Sequence, residues 1–335
     1  MNSSMKLLFY LLAIICFDAF CDEQEAKLRT NVFNSGNAIS IAVSLTPLSA
    51  PFFIAEELGF FKTHNLDVNI LPCHGGVACS EMLFQRRVDL ATFSDSVVMF
   101  KSYEHDNFSV ITTFVRSDRD VRLLTKKASN INAVTQLVGK KIGVVKASAS
   151  EFFLDSMLIS HLIDSANITK MYLKPEQLND ALSTDLVDAV SIWEPHGYLL
   201  ESELKNSIQD LSLPGIYTLS FNLSTLNDNI QTQSSVYKKV LLALEQSIVW
   251  LEDNPAMAQS VLAKKLNISD KQVQSVWPSY AFRLSLSNSL ISELYLQARW
   301  AKDNQLVKGD TPNFQTIIQD SVFHMSLDDM ESTND

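Results

Sequence analysis

The chain has 335 residues, 46% of them hydrophobic and 19% charged, with only 9 Gly and 9 Pro. That length accommodates one large domain or two ordinary ones at about 150 residues each, and the composition excludes a disordered or collagen-like chain. With 27 Lys+Arg against 38 Asp+Glu the formal charge is −11. No long block of like charge occurs, so the acidity reads as a solvated surface, and a nucleic-acid partner is not expected.

Lys6 precedes an apolar run, Leu7 to Phe17, which gives way to the acidic Asp22-Glu23-Gln24-Glu25. A basic start and an apolar stretch of about 7–15 residues define a secretory signal, and a bilayer span would need about 20. The expectation is a signal peptide over residues 1–21 and an exported protein, with Ala19 and Cys21 filling the −3 and −1 sites of a cut before Asp22. An uncleaved anchor and a lipidated cysteine are the alternatives; Phe20 and Ile15 are bulky where lipidation wants a small residue.

Ile39 to Leu45 alternates and is β-branched, a strand. Pro51 to Leu58 has helical apolar spacing, opens with Pro and stops at Gly59. A second alternating strand, Leu66 to Leu71, runs into Gly75-Gly76 and a helix over about Ala78 to Arg87. Val88 to Phe93 and Ser109 to Val115 are further strands. The pattern then restarts with the strand Ile142 to Val145, a Ser/Ala-rich turn and the helix Glu151 to Asp164. Strands near Lys170 to Leu173 and Val187 to Ile192 flank the helix Pro175 to Ser183. Beyond about Ser234 the pattern is nearly all helix: Val236 to Asp253, Pro255 to Leu266, Lys271 to Val276 and Ser287 to Asn304. The tail from Gly309 is polar and reads as partly loose. Strands separated by helical crossovers imply an α/β protein with mainly parallel sheets.

Cys73 and Cys79 are the cysteines beyond the signal. An exported pair is able to bridge, but spacing does not give the Cα separation that a bridge requires. Two ordinary buried thiols are the expectation, with the bridge as the alternative. His74 lies between them without further ligands at metal-site spacing, so no metal is expected. The phosphate-loop, dinucleotide, nucleophile-elbow and zinc-protease motifs are absent, and the six His are scattered. Ser49, Ser94, Ser96, Ser148 and Ser150 lie near strand ends without a readable general base.

Four places combine a strand end with small or hydroxyl residues opening the next segment: Thr46 to Ala50, Gly75 to Val77, Ser94 to Ser96 and Ala147 to Ser150. In open α/β sheets ligands bind beyond the carboxyl ends of strands, where helix starts present unpaired N–H groups and partial positive charge. Such starts hold anions without Lys or Arg. Any one of them alone reads better as ordinary helix capping; four together suggest a shared cleft.

Ser49 to Lys62 (SAPFFIAEELGFFK) followed by Asn65 to Val68 resembles the opening helix and second strand of the nitrate/sulfonate/taurine-type periplasmic binding proteins of ABC importers. That broad family includes binders of thiamine-pyrimidine precursors. The resemblance continues through Gly75-Gly76, Val88 to Ala91, Leu137 to Val144, Val187 to His196, Trp250 to Ala258 and Tyr280 to Arg283, most of residues 39–305 in family order.

The resemblance implies a type II periplasmic-binding fold, two α/β lobes with mainly parallel sheets joined by two crossing strands near Leu124 to Lys127 and Tyr217 to Asn222. Lobe I would comprise residues 39–125 and 220–305, lobe II residues 126–219, and a C-terminal extension residues 306–335. Carried over by position, the ligand-binding residues fall on Leu48, Ser49, Gly75, Gly76, Asp95, Ser96, Ser148, Ala149, Ser150, Trp193 and Glu194. The N–H groups of Gly76 and Ala149 would grip an acidic head group, and Trp193 would pack on an apolar or planar part. Trp193 is equally readable as an interlobe packing residue.

Arg86, Arg87, Arg116 and Arg119 do not fall at matched cleft positions, so no cleft Arg is identified. Asp95 and Glu194, if both face the cleft, disfavour a bare anion and suit a zwitterion or an amino-bearing ring. The function implied is capture of a small solute in the periplasm by a monomer and delivery to an inner-membrane permease, without cofactor or covalent chemistry. A binder of a thiamine-pyrimidine precursor, a sensory module with a separate signalling partner and an enzyme of the thiamine-pyrimidine type are the alternatives.

Overall fold

The computed structural model describes residues 38–205, 207–319 and 323. The signal peptide read over residues 1–21 and the acidic last residues lie outside them. Eleven strands and eleven α-helices alternate along the described chain. In order they are β1 (Ala38–Ser44), α1 (Ala50–Glu57), α2 (Phe60–Thr63), β2 (Asp67–Cys73), α3 (Gly75–Phe84), β3 (Leu90–Ser94), α4 (Asp95–Ser102), β4 (Phe108–Ser117) and β5 (Val121–Lys126). There follow β6 (Lys141–Val144), α5 (Ala149–Ser160), β7 (Thr169–Tyr172), α6 (Pro175–Ser183), β8 (Ala189–Trp193), α7 (His196–Glu203) and β9 (Ile208–Asp210). The last are β10 (Leu219–Leu226), α8 (Asn227–Asp253), α9 (Pro255–Leu266), α10 (Asp270–Val276), β11 (Tyr280–Ser285) and α11 (Asn288–Asp303).

The strands form two sheets, ordered β11-β4-β10-β3-β1-β2 and β7-β6-β8-β5-β9. β1–β3, β6–β7 and β6–β8 pair in parallel, as helical crossovers require. The strands that carry the chain between the sheets, β4, β5 and β10, pair antiparallel with their neighbours, so each sheet is mixed. The chain passes between the sheets at residues 118–120 and again at residues 211–218. The first passage therefore lies several residues before the expected Leu124 to Lys127, which are part of β5 and the turn after it. No described helix is long and apolar enough to cross a membrane.

Burial explains the elements. Ala50 to Ala55 of α1 are all buried, and Pro51 sits in its first turn, where the missing N–H has no partner to lose. All five residues of β3 are buried, as befits a strand covered on both faces. The C-terminal third is not all helix: β11 alternates buried Tyr280, Phe282 and Leu284 with outward Ala281 and Arg283, and pairs with β4 as an edge. Nor is the start of the tail loose, since Phe314 is fully buried and Ile318 bridges Val110 of β4. One apolar core runs from the first sheet through α5 and β6, and a smaller one, including Leu124, Leu178, Val190 and Leu200, lies under α6 and α7.

Candidate ligand-binding cleft

The segments that leave β1, β2, β3 and β6 converge on one cleft between the sheets. Thr46 and Leu48 come from the first, Gly75, Gly76 and Val77 from the second, Ser94 and Val97 from the third, and Ser148 and Ala149 from the fourth. Trp193 at the end of β8, Asp120 in the first passage, Ser44, and Leu219 and Phe221 of β10 complete the lining. The space is small, about 20 Å³ for the centre of a water-sized sphere, where one water needs about 10–15 Å³. A solute of more than a few atoms therefore enters only when the walls part.

Two glycines set the wall after β2. Gly75 has φ +83, a conformation costly for other residues, and a Cβ there would meet Trp193 Cζ2 at 3.0 Å. A Cβ on Gly76 would meet Phe93 Cβ at 2.8 Å and Cα at 2.9 Å. The missing side chains thus let the indole of Trp193 lie on the start of α3 and let α3 press against β3. Beside them, Cys73 and Cys79 form a disulfide with Cα atoms 5.5 Å apart, so the expectation of two thiols is corrected. The short segment from strand end to first helical turn brings the Cα atoms within bridging distance.

The helix starts differ in capping. Ser94 Oγ accepts from Val97 N at 3.4 Å, and Ser148 Oγ from Ser150 N at 3.2 Å. The α3 N-cap, His74, makes no side-chain capping bond. Its leading N–H groups, Gly76 among them, lie at a cleft wall with the partial positive charge of a helix start. Among the described residues that line the cleft there is no Lys, Arg, His or Cys, and Asp120 is the one ionisable side chain.

Asp120 is 1% exposed. Tyr280 Oη donates to its Oδ1 at 2.7 Å, and its carbonyl accepts from Glu194 N at 3.0 Å, while Oδ2 has no partner. Burial, with the charge of Glu194 adding to it, pushes the carboxyl up to about 8 against the opposing Tyr280 bond.

Of the residues expected from sequence, Leu48, Gly75, Gly76, Ser148, Ala149 and Trp193 line this cleft, and five others lie off it. Ser49 is fully buried at the start of α1, its Oγ without a partner. Asp95 and Ser96 both hold Tyr217 of the second passage. Tyr217 Oη donates to Asp95 Oδ1 and lies 3.1 Å from Ser96 Oγ, and Gln297 Nε2 of α11 donates to Asp95 Oδ2 at 2.7 Å. Burial raises the Asp95 carboxyl to about 7 despite these donors. Ser150 Oγ donates to Ser191 O at 2.6 Å and so ties α5 to β8.

Glu194 accepts from Arg122 Nη1 at 3.1 Å and from Tyr198 N at 2.9 Å. It faces a separate cleft with Glu201 and Asp210, which also pair with Arg122. The idea that Asp95 and Glu194 jointly face a solute is therefore corrected: each is neutralised or hydrogen-bonded elsewhere. The cleft carboxyl is Asp120, which sequence reading missed. The Asp118-Arg119-Asp120 turn between two strand-like runs was its signal, hidden because the passage was placed several residues too late.

The chain belongs to the NMT1/THI5 like family, whose model matches residues 46–258. It is 25% identical over 245 residues, 71% of this chain and 72% of the relative, to a Bacillus subtilis (strain 168) protein provisionally described as aliphatic sulfonates-binding. It is also 25% identical over 146 residues, 44% of this chain, to a Haemophilus influenzae protein provisionally described as a thiamine biosynthesis protein, of which it spans 46%. Its fold is that of the alkanesulfonate-binding protein SsuA from Xanthomonas axonopodis pv. citri bound to MOPS. The TM-score is 0.76 at 18% identity, covering 84% of this chain and 98% of that one. The same fold is found in the desulfurization enzyme DSZB, with a TM-score of 0.64 at 12% identity over 88% of this chain and 99% of that one.

Proposed function

We propose that the protein is the solute-capturing component of an ABC importer. It would take a small anionic or zwitterionic solute of the sulfonate, taurine or nitrate class and deliver it to an inner-membrane permease. The observation that carries this reading is the convergence of helix starts from both sheets on one cleft beside the two interlobe passages. Each sheet with its helices is then one lobe, and the passages at residues 118–120 and 211–218 are the hinge. The open form admits the solute, closure buries it, and the ligand shifts that equilibrium by its differential affinity. The relatives described as binding sulfonates support this class. The reading places the mature protein in the periplasm as a monomer, exported by its N-terminal segment.

Gly76 and Ala149 would hold the acidic group through main-chain N–H groups, and Trp193 would pack on the remainder. A second reading, a thiamine-pyrimidine precursor, is favoured by the flat indole over Gly75 and by the Haemophilus relative. DSZB supports chemistry on this fold. The described lining of this cleft, however, pairs its hydroxyls with neither His nor Cys, which favours capture over turnover.

A thermal-shift screen of the chain from Asp22 onward tests the reading, with nitrate, bicarbonate, taurine, alkanesulfonates, aromatic sulfonates and formylamino-pyrimidine. A ligand at 100 times its dissociation constant adds about 2.7 kcal/mol. Stabilisation by sulfonates or nitrate is expected. Stabilisation by the pyrimidine alone transfers the protein to vitamin-precursor uptake, and silence from the folded protein overturns both.

A further inference from the structure

We propose that Asp120 is the specificity residue of the cleft, its unpartnered carboxylate oxygen accepting an N–H of an amino-bearing solute whose anionic end lies on the starts of α3 and α5. The inference rests on the solute-capture reading and assigns the chemistry of one end of the ligand.

Three observations converge. Asp120 lines the cleft, is 1% exposed, and has one oxygen taken by Tyr280 and the other without a partner. A buried acceptor left unsatisfied is costly, and a donor on the solute recovers that cost whereas a solute lacking one does not. The residue is also held from both sides: Tyr280 of the first sheet donates to its carboxyl, and its main-chain carbonyl accepts from Glu194 N beyond β8 of the second. Finally, no described cationic side chain lines the cleft. A bare anion beside an ionised Asp120 would place two like charges in one buried site, and an ammonium group offsets that repulsion.

Titration adds a signature. Tyr280 and Glu194 are the titratable groups facing Asp120, and Glu194 is itself paired with Arg122. Burial holds the carboxyl near 8, so below that pH it must shed its proton to receive an ammonium. Amino-solute affinity then rises with pH up to about 8, by up to roughly tenfold per unit. For a bare anion the direction reverses.

The test is isothermal titration of the chain from Asp22 onward with taurine, ethanesulfonate, which is the same sulfonate without the amine, and β-alanine. Taurine is expected to bind at least tenfold more tightly than ethanesulfonate at pH 8, with the preference shrinking towards pH 6. Asp120→Asn is expected to erase the preference while retaining ethanesulfonate binding. Tyr280→Phe, which keeps the carboxyl and removes a bond that lowers its pKa, is expected to move the pH midpoint upward. Equal binding of the two sulfonates, or a preference that survives Asp120→Asn, overturns the role of Asp120 and leaves sulfonate capture standing. Asp120-dependent binding of β-alanine alone supports Asp120 and overturns the sulfonate class. Binding of none of the three overturns both.

Discussion

Trp300 of α11 donates its indole N–H to Asp155 Oδ2 of α5 at 3.0 Å, so the last long helix, which packs on α4 beside the first sheet, is bonded to a helix of the second. Phe152 packs edge-on against the same indole with centroids 5.0 Å apart, and also against Tyr217 of the second passage. The contact is buried and joins helices of the two sheets, so in the proposed capture cycle it would act as a latch on the closed form. Trp300→Phe keeps much of the ring packing and removes the donor. A hydrogen bond to a charged group contributes about 1.5–3 kcal/mol, so solute affinity is expected to fall by roughly 10–150-fold. The radius of gyration of the ligand-bound protein should shift towards the open form. Unchanged affinity with unchanged scattering would remove the latch from the mechanism.

The disulfide gives a second prediction. Cys73 ends β2 and Cys79 lies within α3, so the bridge pins the helix start that faces the cleft. Closing so short a loop stabilises by about 2 kcal/mol in the chain-entropy account. Replacing both cysteines by Ala should lower the melting temperature by several degrees and weaken solute binding, measured by calorimetry with and without ligand. Reductant should reproduce the effect in the unmodified protein and have none on the variant.

How far the sequence spoke depended on where the information lay. Periodicity and punctuation placed α6 and α9 at their observed bounds, because Pro175 and Pro255 mark both starts. β11 was missed although Tyr280, Phe282 and Leu284 alternate, since it is short and lies between helical runs. At the cleft, the small and hydroxyl residues at strand ends pointed to Leu48, Gly75, Gly76, Ser148 and Ala149. The partners of charged residues were not legible. Asp95 meets Tyr217 and Gln297, which are 122 and 202 residues away in sequence, and Glu194 meets Arg122 across 72. Only the fold brings such groups together, and only it leaves Asp120 without its second partner.

Gly76→Ala tests whether α3 must sit directly on β3. Its Cβ would fall 2.8 Å from Phe93 Cβ and 2.9 Å from Phe93 Cα, and the backbone atom cannot rotate away. Overpacking of this kind costs about 1–3 kcal/mol. The variant should unfold at lower denaturant and bind solute more weakly, because the shifted helix start carries main-chain N–H groups of the cleft. Gly76 is not among the glycines with a positive φ, so the loss reports the close packing and not backbone strain. If Gly76→Ala loses no stability, the close packing at Phe93 is not a requirement of the fold.

The buried acids predict how stability depends on pH. Burial raises Asp95 to about 7 and Asp120 to about 8, whereas both titrate near 3.8 when exposed. The folded protein therefore holds protons that the unfolded chain releases between those values, and stability falls as pH rises through that window. Asp155, Glu194 and Glu293, also raised mainly by burial, act in the same direction. His105 and His196 oppose it below about 6.5, because burial keeps them neutral in the fold while the unfolded chain protonates them. The melting temperature should accordingly climb on acidification from pH 8.5 to about 6.5 and flatten below. In Asp95→Asn the amide oxygen still accepts from Tyr217, and a turned Gln297 amide offers its otherwise unpartnered Oε1 to the new NH₂. That variant should fold and show a visibly shallower slope between pH 6.5 and 8.5 by differential scanning calorimetry. An undiminished slope would mean that Asp95 is ionised in the folded protein and that its contacts with Tyr217 and Gln297 hold a charge rather than a proton.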